Sequence, residues 1–583
     1  MPGRRLLPSL PTALGVAVLN WTWLAGSHAA PPPATDTLTV SVVATTDLHG
    51  YAFPRGGHGG LALLGGYLRN LRAAREGQGG VVVVDAGDTY QGGVESNLSE
   101  GALVIEAFNA LGVDAGAVGN HDFDFGAVDT SVAHESRDAD RQGALKALAA
   151  RAHFPLLAAN LIDDSTGQPV IWPNVRPSTT RNVSGVAVGI VGVMTEGALR
   201  ATLPLNVRGL RVAPLIPTIA AEATRLRHEG ARIVVVAAHA GGGCSRFDDP
   251  RDLSSCDGGS EIFDVARALP HGLVDVIAAG HTHDGLAHIV NGIAIVQAYS
   301  WGRAFGRVDL VVGRDHGDVL DVRVFAPREI CSRERTSAPG CDDAPASMRP
   351  RYEGREVEPD ASVDAAMAPV LARVEALRER PLGVVLETPV SRTAGTESSL
   401  GNLFADALRA TSAGADVALS NNGLGGLRAD LPAGPLTFGR LYDVFPFDNR
   451  VTRVTVSAAA LSEALARSIR RGRRGALGVS GVRVVVSCGA DGLRVDLTRS
   501  SGQPIAPTDD LVVVAMDSLV SGSPFSLFPG SSPPSIEDAP LVRESIERWV
   551  VERGGVLTAR DFLDADDRRW RAPEPVPDAC LTP

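Results

Sequence analysis

Lysine is nearly absent from this sequence. Lys146 is the only lysine among 55 basic residues, and 67 acidic residues bring the formal net charge to −12. Non-specific binding of a nucleic-acid polymer depends on many cationic contacts with phosphates, which an acidic chain without a basic stripe does not offer. We therefore expect no nucleic-acid polymer among the partners. A few arginines remain enough to bind a small phosphate ester.

Long apolar runs are also lacking after the first 30 residues. Arg4 and Arg5, the apolar segment at 13–25 and the small residues at 27–30 are typical of an export signal. The apolar segment is too short and too interrupted for a membrane span, and no cysteine near the cleavage site offers a lipid anchor. The sequence predicts a signal peptide at 1–30, no stable membrane anchor, and an exported protein in the periplasm or outside the cell.

Cysteine is scarce, and no CxxC pair occurs, which disfavours a thiolate metal site. Export to an oxidising compartment favours disulfides instead. Six cysteines permit fifteen pairings. Proximity along the chain and a need to tie down the C-terminus favour three of them: Cys244–Cys256, Cys331–Cys341 and Cys488–Cys580.

Apolar runs alternate with helical spacing through the first half of the chain. Helical periodicity at 61–75 and 102–111 separates predicted strands at 38–45, 80–84 and 115–118, and further strands are predicted at 154–161, 186–194, 232–238 and 274–279. Strand–helix–strand order predicts parallel pairing, with ligands at the carboxyl ends of the strands.

Metal-ligating side chains follow these predicted strands. Asp47 and His49, like His281 and His283, are two residues apart, so in an extended strand end each pair would point the same way. The full set of candidate ligands is Asp47, His49, Asp88, Asn120, His239, His281 and His283. Oxygen and imidazole ligands suit Mn, Fe, Zn or Co better than Ca.

Seven ligands are too many for one tetrahedral ion. They fit two ions that share a bridging carboxylate, for which Asp88 is the natural candidate. Two such ions clamp a phosphoryl group and generate hydroxide near neutral pH. His121 would stabilise or protonate a charged oxygen, and Asp122 or Asp124 would orient its imidazole.

Five ordered motifs carry a resemblance to a known family: TTDLHG, DAGD, GNHDFDFG, AHAGGG and GHTH. They resemble the calcineurin-like metallophosphoesterases, and more narrowly the exported 5′-nucleotidase / 2′,3′-cyclic phosphodiesterase family. The resemblance implies one metal on Asp47, His49, Asp88 and His283, and a second on Asp88, Asn120, His239 and His281. It also implies a catalytic dyad of His121 and Asp124, with Asp122 in a supporting role. His283 departs from many 5′-nucleotidases, which carry an amide there.

The second half resembles the C-terminal nucleotide-recognition domain of the same family. By this resemblance Asn422 and Arg428 would contact the substrate, and Phe447 and Phe525 would stack on a base. Two loops depart from the family pattern: the glycine loop before Arg428 is one residue longer, and Ser-Gly-Ser-Pro precedes Phe525 where Gly-Gly-Asp-Gly is usual. These departures leave the substrate open.

The implied fold is α/β: a four-layer α/β/β/α sandwich followed by a separate C-terminal α/β nucleotide-recognition domain. We expect a signal peptide at 1–30, a metallophosphoesterase domain at 38–328, a connector with a bridging helix at 329–381, and the substrate-binding domain at 382–575. A hinge between the domains would deliver the substrate to the metals, as in relatives.

The sequence is compatible with three functions. The first is a two-metal hydrolase of 5′-nucleotides in which metal-bound hydroxide attacks phosphorus. The second is a 2′,3′-cyclic-nucleotide phosphodiesterase or a nucleotide-sugar hydrolase. The third, a non-catalytic surface binding protein, is disfavoured because a degenerate site should have lost ligands and none of the seven is missing. The expected partner is a small nucleotide or related phosphate ester.

Overall fold

The computed structural model describes residues 37–128, 139–314, 317–333, 341, 348–392, 397–423, 426–447, 449–470, 477–489, 492–520, 526–528, 539–573, 577 and 580. The predicted signal peptide at 1–30 and the predicted substrate residue Phe525 therefore lie outside the described residues.

Strands of the first half, in chain order, are β1 (Thr37–Thr45), β2 (Gly79–Asp85), β3 (Ala115–Ala117), β4 (Leu156–Leu157), β5 (Leu161–Asp163), β6 (Gln168–Pro169), β7 (Val175–Arg176), β8 (Ser178–Val183), β9 (Val186–Met194), β10 (Leu210–Val212), β11 (Ile233–His239), β12 (Val276–Ala279), β13 (Gly285–Val290), β14 (Ile293–Ala298), β15 (Ala304–Gly313) and β16 (Val319–Glu329). Those of the second half are β17 (Arg351–Tyr352), β18 (Arg355–Glu356), β19 (Pro381–Leu386), β20 (Val417–Asn421), β21 (Gly434–Thr437), β22 (Val451–Ser457), β23 (Leu477–Ser480), β24 (Val482–Gly489), β25 (Gly492–Arg499), β26 (Asp510–Met516), β27 (Gly555–Leu557) and β28 (Trp570–Arg571).

The helices are α1 (Leu61–Arg75), α2 (Val94–Asn97), α3 (Ala102–Leu111), α4 (Gly143–Arg151), α5 (Leu215–His228), α6 (Glu261–Ala268), α7 (Ala361–Arg378), α8 (Ser399–Thr411), α9 (Phe438–Val444), α10 (Ala458–Arg470), α11 (Asp517–Val520) and α12 (Val542–Arg553). Short 3-10 turns lie at His121–Phe123, Ala198–Ala201 and Ala559–Asp561. None of the described helices is both long enough and apolar enough to cross a membrane.

Two sheets stack face to face in the first half. One has the order β16-β15-β1-β2-β3-β4-β7 and the other β13-β14-β12-β11-β9-β8. Valine and isoleucine side chains from both sheets, among them Val42, Val84, Val235 and Ile190, form one buried core between them. Helices α1 and α3 pack on the outer face of the first sheet, and α5 and α6 on that of the second. This is the expected four-layer α/β/β/α sandwich.

Parallel pairing is concentrated at the centre of each sheet. In the first sheet, β1, β2, β3 and β4 run parallel, and β15 joins β1 antiparallel. In the second sheet, β9, β11, β12 and β14 run parallel, while β13 and β8 join antiparallel at the edges. The carboxyl ends of β1, β2 and β3 therefore meet those of β11 and β12 at one end of the sandwich, where the predicted ligands follow the strands.

The strand predicted at 154–161 is wrong in extent. Only Leu156–Leu157 pairs within the first sheet, and β5 begins a separate small sheet at Leu161. The Asn160 side chain lies between them and donates to the carbonyls of two distant residues, Met194 at 2.7 Å and Ala213 at 3.0 Å. These contacts hold the chain in a turn, so the strand does not continue.

The second half forms a further α/β unit with the sheet orders β21-β19-β27, β22-β26-β20-β23 and β25-β24-β28. Helix α7 connects the two halves. Asp360 caps its start by accepting from the Ser362 N–H at 3.0 Å, and Arg378 near its end forms a double contact with Asp443 in the second half, at 3.1 and 2.9 Å.

All three predicted disulfides are confirmed: Cys244–Cys256, Cys331–Cys341 and Cys488–Cys580 are bonded. Cys244–Cys256 closes a short loop of the sandwich, and Cys331–Cys341 joins two residues of the connector that are 10 apart in sequence. The third joins β24 to Cys580, 92 residues later in the sequence.

Candidate metal centre and active site

Asp47, His49 and His283 form the first cluster of candidate ligands. Nε2 of His49 lies 3.0 Å from Nε2 of His283, and Nε2 of His283 lies 3.5 Å from Oδ1 of Asp47. Asp47 and His49 belong to the loop after β1, and His283 to the loop after β12. The cluster therefore joins the carboxyl ends of both sheets.

Asp88, His239 and His281 form the second cluster, with Asn120 beside it. Nε2 of His239 lies 3.2 Å from Oδ2 of Asp88, 3.1 Å from Nδ1 of His281 and 3.0 Å from Oδ1 of Asn120. Asn120 is oriented by its Nδ2, which donates to the carbonyl of Ala201 at 3.3 Å. All seven predicted ligands thus come together in two adjacent clusters.

Asp88 stands between the two clusters. Its Oδ1 accepts the backbone N–H of His121 at 2.8 Å, while its Oδ2 lies 3.2 Å from Nε2 of His239 and 4.0 Å from Nε2 of His49. Burial alone would raise the pKa of the Asp88 carboxyl, but the His239 imidazole beside it holds that pKa well below its usual range. The arrangement is the one expected of a bridging carboxylate.

Five of the seven candidate ligands have a left-handed backbone. Their φ angles are 48° for Asp47, 49° for His49, 53° for Asp88, 77° for His281 and 61° for His283. This conformation costs a non-glycine residue about 1–2 kcal/mol, and such residues cluster at functional sites. The prediction that each pair converges through an extended strand end is therefore wrong, because β1 ends at Thr45 and β12 at Ala279 before the ligands begin.

Backbone hydrogen bonds hold these loops in place. The N–H of Asp47 donates to the carbonyl of Gly87 at 3.0 Å, and the N–H of His49 donates to that of Asp88 at 2.9 Å. The N–H of His281 donates to both carboxylate oxygens of Asp47 at 3.0 Å, which ties the second sheet to the first.

Two buried aspartates support the ligands without belonging to either cluster. Asp122 accepts from the N–H of Thr89 at 2.9 Å and from that of Gly119 at 2.8 Å, so it joins the Asp88 loop to the Asn120 loop. Asp85 accepts from the hydroxyls of Thr45 and Thr89 at 2.6 and 2.5 Å. Burial raises the pKa of Asp122 to about 7 and that of Asp85 to about 6. The position of Asp85 in DAGD was visible in the sequence, but its supporting role was not predicted.

His121 and Asp124 form a close pair beside the clusters. Nδ1 of His121 lies 2.6 Å from Oδ2 of Asp124, and the His121 ring centroid lies 5.4 Å from that of His49. Burial alone would lower the pKa of His121, but the hydrogen bond and charge of Asp124 raise it to about 9. An imidazole that keeps its proton at neutral pH is suited to stabilise or protonate an oxygen on which negative charge develops.

The donor set fits divalent transition metals. Four imidazoles, two carboxylates and one amide oxygen converge, and imidazole nitrogens face one another at 3.0 and 3.1 Å, an arrangement that a cation stabilises. Two other groups of possible metal ligands occur among the described residues. Each depends on cysteine sulfurs, from Cys244 and Cys256 in one group and from Cys341 in the other. These sulfurs are in disulfides and offer no thiolate.

Trp301 is a neighbour of the site that the sequence did not reveal. Its backbone N–H donates to the carbonyl of Asp47 at 2.7 Å. Its ring centroid lies 6.1 Å from that of His283, and 54% of the residue's surface is exposed. A single aromatic in a loop after β14 carries no periodicity that would have identified it.

The predicted substrate residues of the second half lie within that half. The Arg428 guanidinium sits over the Phe447 ring at 5.6 Å, and Phe447 packs edge-on against Phe445 at 5.4 Å. Nδ2 of Asn422 donates to the hydroxyl of Ser398 at 2.9 Å. Arg428 and Phe447 therefore form a cation and aromatic pair, while the Asn422 amide contacts the start of α8.

Comparison with protein families and known proteins agrees with the fold. Residues 40–285 match the calcineurin-like phosphoesterase family, and residues 379–525 match the 5′-nucleotidase C-terminal domain. Endonuclease YhcR of Bacillus subtilis is 28% identical over 72% of this chain, which spans only 31% of that relative. Protein UshA of Yersinia enterocolitica is 25% identical over 90% of this chain and 93% of its own length.

A solved structure has the same fold along nearly its whole length. The crystal structure of a 5′-nucleotidase precursor from Thermus thermophilus superposes with a TM-score of 0.53 at 21% identity, covering 89% of this chain and 99% of its own. The two family matches lie in the order that the motifs predicted, and together they take in both halves of the chain. The chain belongs to the calcineurin-like phosphoesterases that carry a 5′-nucleotidase C-terminal domain, a family of phosphate-ester hydrolases.

Proposed function

We propose that this protein is an exported two-metal phosphoesterase that hydrolyses the phosphate ester of nucleotides. One observation carries the proposal: two clusters of ligands meet at Asp88, and the His121–Asp124 pair stands beside them. A two-metal site of this composition is suited to phosphoryl chemistry.

Each residue of the site has a role in this proposal. Asp47, His49, Asp88 and His283 would hold one divalent ion, and Asp88, Asn120, His239 and His281 the other. When bound, the ions would neutralise the phosphoryl oxygens and lower the pKa of a water. As the bond from phosphorus to the leaving oxygen breaks, that oxygen takes the Nε2 proton of His121, and the proton lost by the attacking water returns to the imidazole through solvent. Asp124 holds the ring by accepting from Nδ1.

The second half would hold the nucleoside. Arg428 offers paired donors to a phosphate, and Phe447 offers an aromatic face for a base. Asn422 and Phe525 complete the proposed set of substrate-binding residues, and Phe525 is included on sequence resemblance alone.

In this proposal the phosphoesterase domain is 38–328, the connector 329–381 and the substrate domain 382–575. The proposed export rests on the signal peptide that the sequence predicts at 1–30.

Hydrolysis by matched variants tests the mechanism. The purified protein would be assayed with Mn on AMP, 2′,3′-cyclic AMP, UDP-glucose and bis(p-nitrophenyl) phosphate. We expect His121→Ala and Asp88→Asn to lose most activity, while His153→Ala, which truncates an exposed histidine, keeps it. Wild-type rates in both site variants on every ester would refute the proposed mechanism.

A phosphodiester is the second candidate substrate. His283, an imidazole where many 5′-nucleotidases carry an amide, favours it, and the half-exposed Trp301 beside His283 offers a surface for a second ester substituent. A relative of this chain also carries the name endonuclease. The same substrates distinguish these candidates. A higher kcat/KM on 2′,3′-cyclic AMP or on bis(p-nitrophenyl) phosphate than on AMP would indicate a phosphodiesterase. A preference for UDP-glucose would indicate a nucleotide-sugar hydrolase.

A further inference from the structure

Asp124 uses both of its carboxylate oxygens. Oδ2 lies 2.6 Å from Nδ1 of His121, and Oδ1 accepts the hydroxyl of Thr202 at 2.5 Å. The Asp124 side chain is only 13% exposed. Thr202 therefore supplies a side-chain donor to the carboxylate oxygen that faces away from the imidazole.

Thr202 belongs to a segment that contacts the GNHDFDFG stretch at several points. It follows the 3-10 turn Ala198–Ala201, in the connection from β9 to β10. The carbonyl of Ala201 accepts from Nδ2 of Asn120 at 3.3 Å. Nδ2 of Asn206 donates to the carbonyls of Phe123 at 2.9 Å and Asp124 at 3.2 Å. One segment thus orients a candidate ligand, a candidate catalytic carboxylate and the backbone between them.

The start of this segment is anchored to the second sheet. The N–H of Thr195 donates to the carbonyl of His239 at 2.9 Å, and the N–H of Ala198 donates to the carbonyl of Thr195 at 3.0 Å. The chain around Thr202 is therefore connected by hydrogen bonds to β11 of the second sheet and to the loop that follows β3 of the first, which gives its hydroxyl a defined position relative to Asp124.

We propose that Thr202 is a positioning residue for leaving-group protonation, acting through Asp124 on His121. A carboxylate held at one oxygen can rotate, and its imidazole partner rotates with it. A donor on the second oxygen fixes the carboxylate plane, and so fixes the direction in which Nε2 of His121 presents its proton. This inference rests on the proposed function, in which His121 protonates the leaving oxygen.

The test compares Thr202→Val, which removes the hydroxyl at similar volume, with Thr202→Ser, which keeps it. Thr218→Val is the matched control, because that exposed hydroxyl on α5 donates only to the carbonyl of Pro214. The substrates are AMP, whose alkoxide leaving group needs a proton, and p-nitrophenyl phosphate, whose phenolate leaves without one.

For Thr202→Val we expect kcat on AMP to fall about ten-fold with an unchanged KM, and kcat on p-nitrophenyl phosphate to fall less than about two-fold. Thr202→Ser and Thr218→Val should match the wild type on both substrates. Equal losses of Thr202→Val on the two esters, a change confined to KM, or failure of serine to retain activity would overturn the inference.

Two measurements besides activity complete the test. Bound Mn per chain and Tm should be the same in Thr202→Val and wild type, because the metal ligands keep their contacts. The downfield proton signal of the His121 Nδ1–H, identified by its loss in His121→Ala, should shift in Thr202→Val and stay in Thr202→Ser. Loss of metal or an unmoved proton signal would also overturn the inference. A wild-type protein that hydrolyses neither these two monoesters nor 2′,3′-cyclic AMP, UDP-glucose or bis(p-nitrophenyl) phosphate would instead overturn the proposed function, on which the inference depends.

Discussion

Gly119 sets how closely the Asn120 loop approaches Asp88. A Cβ added to Gly119 would lie 2.3 Å from Oδ1 and 2.4 Å from the backbone N of Asp88, well inside van der Waals contact. The backbone N–H of the same glycine donates to Asp122. A glycine at this position therefore allows Asp88, the proposed bridging carboxylate, and the loop that carries Asn120 and His121 to pack against each other.

We expect Gly119→Ala to displace Asp88, lower the bound metal and abolish most hydrolysis, with a loss of stability of about 1–3 kcal/mol from overpacking. Metal content per chain and thermal unfolding measure the two effects. Gly258→Ala is the control, since a Cβ at Gly258 meets nothing within 4 Å. Full metal content in Gly119→Ala would contradict this account.

Residue identity is the part of the site that could be read from the sequence. Four histidines, two aspartates and one asparagine that follow apolar runs make up the seven candidate ligands, and motif resemblance separates Asp124 from Asp122. The positive φ angles of Asp47 and His283 could not be read in this way, because nothing in an isolated Asp or His indicates a left-handed backbone. Thr202 was missed for a related reason: its partner is 78 residues distant in sequence.

At the scale of elements, a buried ion cluster connects β15 to its neighbours. Asp309 accepts from Ser41 of β1 at 2.6 Å and from Arg75 of α1 at 2.7 Å, and Arg307 contacts it through Nε at 2.8 Å and Nη2 at 2.7 Å. Arg307 also donates to Glu353, in the turn of the β17–β18 hairpin, at 2.5 Å. The cluster thus joins the first sheet, its covering helix and the connector.

Asp309 predicts an acid dependence of stability. Burial alone would raise the pKa of its carboxyl, but the Arg307 and Ser41 hydrogen bonds and the charges of Arg307 and Arg75 hold that pKa below the ordinary value. A lowered folded-state pKa means that the stabilisation is complete above the unfolded-state pKa, about 3.9, and is lost as pH falls through the lower folded-state pKa.

We expect Asp309→Asn to lower the free energy of unfolding at pH 7 by about 2–4 kcal/mol, because it removes the buried carboxylate that pairs with both Arg307 and Arg75. The difference from wild type should shrink as pH falls below about 4, as measured by urea unfolding across that range. Asp321→Asn is the control, an exposed carboxylate on β16 paired with the exposed Arg323, and should change stability by less than about 1 kcal/mol. A pH-independent deficit in Asp309→Asn would argue against the charge mechanism.

Helix α1 packs against the connector through two glycines. A Cβ on Gly66 would lie 2.1 Å from the carbonyl oxygen of Glu358, and one on Gly65 would lie 2.7 Å from Cβ of Asp360. The N–H of Asp360 donates to the carbonyl of Ala62 at 2.7 Å, so the connector lies along the helix as it enters α7. The absence of side chains at two adjacent positions allows this approach.

We expect Gly66→Ala to lower stability by about 1–3 kcal/mol although alanine is the better helix former, because the connector backbone must move. Gly143→Ala, at the start of α4, is the matched control: its Cβ would lie 3.4 Å from the nearest atoms, so the gain in helix propensity should leave stability unchanged or slightly higher. Chemical denaturation of both variants measures the contrast. A stabilised Gly66→Ala would show that the connector is free to shift.

Local pattern predicted most elements of the sandwich, and its failures have a physical cause. The buried parallel strands β9 and β11 are nearly continuous apolar runs, and β1 alternates before it runs apolar, patterns that a surface helix does not have. The two-residue strands β4 and β7 carry no such signal, because their pairing depends on neighbours already in place. The 154–161 run failed because the Asn160 side chain binds two distant carbonyls, contacts that apolar periodicity does not report.

At the scale of the whole molecule, the two halves are joined by more than a linker. Buried side chains of α1 and α3, such as Leu64 and Phe108, belong to the same apolar cluster as Val363, Met367 and Val370 of α7 and as side chains of the second half. Composition predicted a connector from 329 to about 360, and apolar periodicity predicted a bridging helix after it, but neither could show that α7 packs on the sandwich. The domain division proposed above therefore crosses a continuous core.

Metal ions bound at the candidate centre would make the stability of the sandwich depend on cations. Asp47, Asp85, Asp88 and Asp122 are each no more than 2% exposed and lie within one group of loops. Buried carboxylates without compensating charge are costly, and in this site the compensation is shared by histidines and the proposed ions. A ligand that binds only the folded state stabilises it by about 2.7 kcal/mol at a concentration of 100 Kd.

Chelation with EDTA should therefore lower Tm by several degrees, and added Mn should restore it together with hydrolysis. His239→Ala removes a ligand from the second cluster and should have a lower Tm with a much smaller response to EDTA. Asp309→Asn, destabilised at a site remote from the ligands, should keep the full response, which separates loss of metal from loss of stability in general. An equal response to EDTA in wild type and His239→Ala would mean that the chelated ion binds elsewhere, because the second cluster depends on that imidazole for its contacts to Asp88, Asn120 and His281.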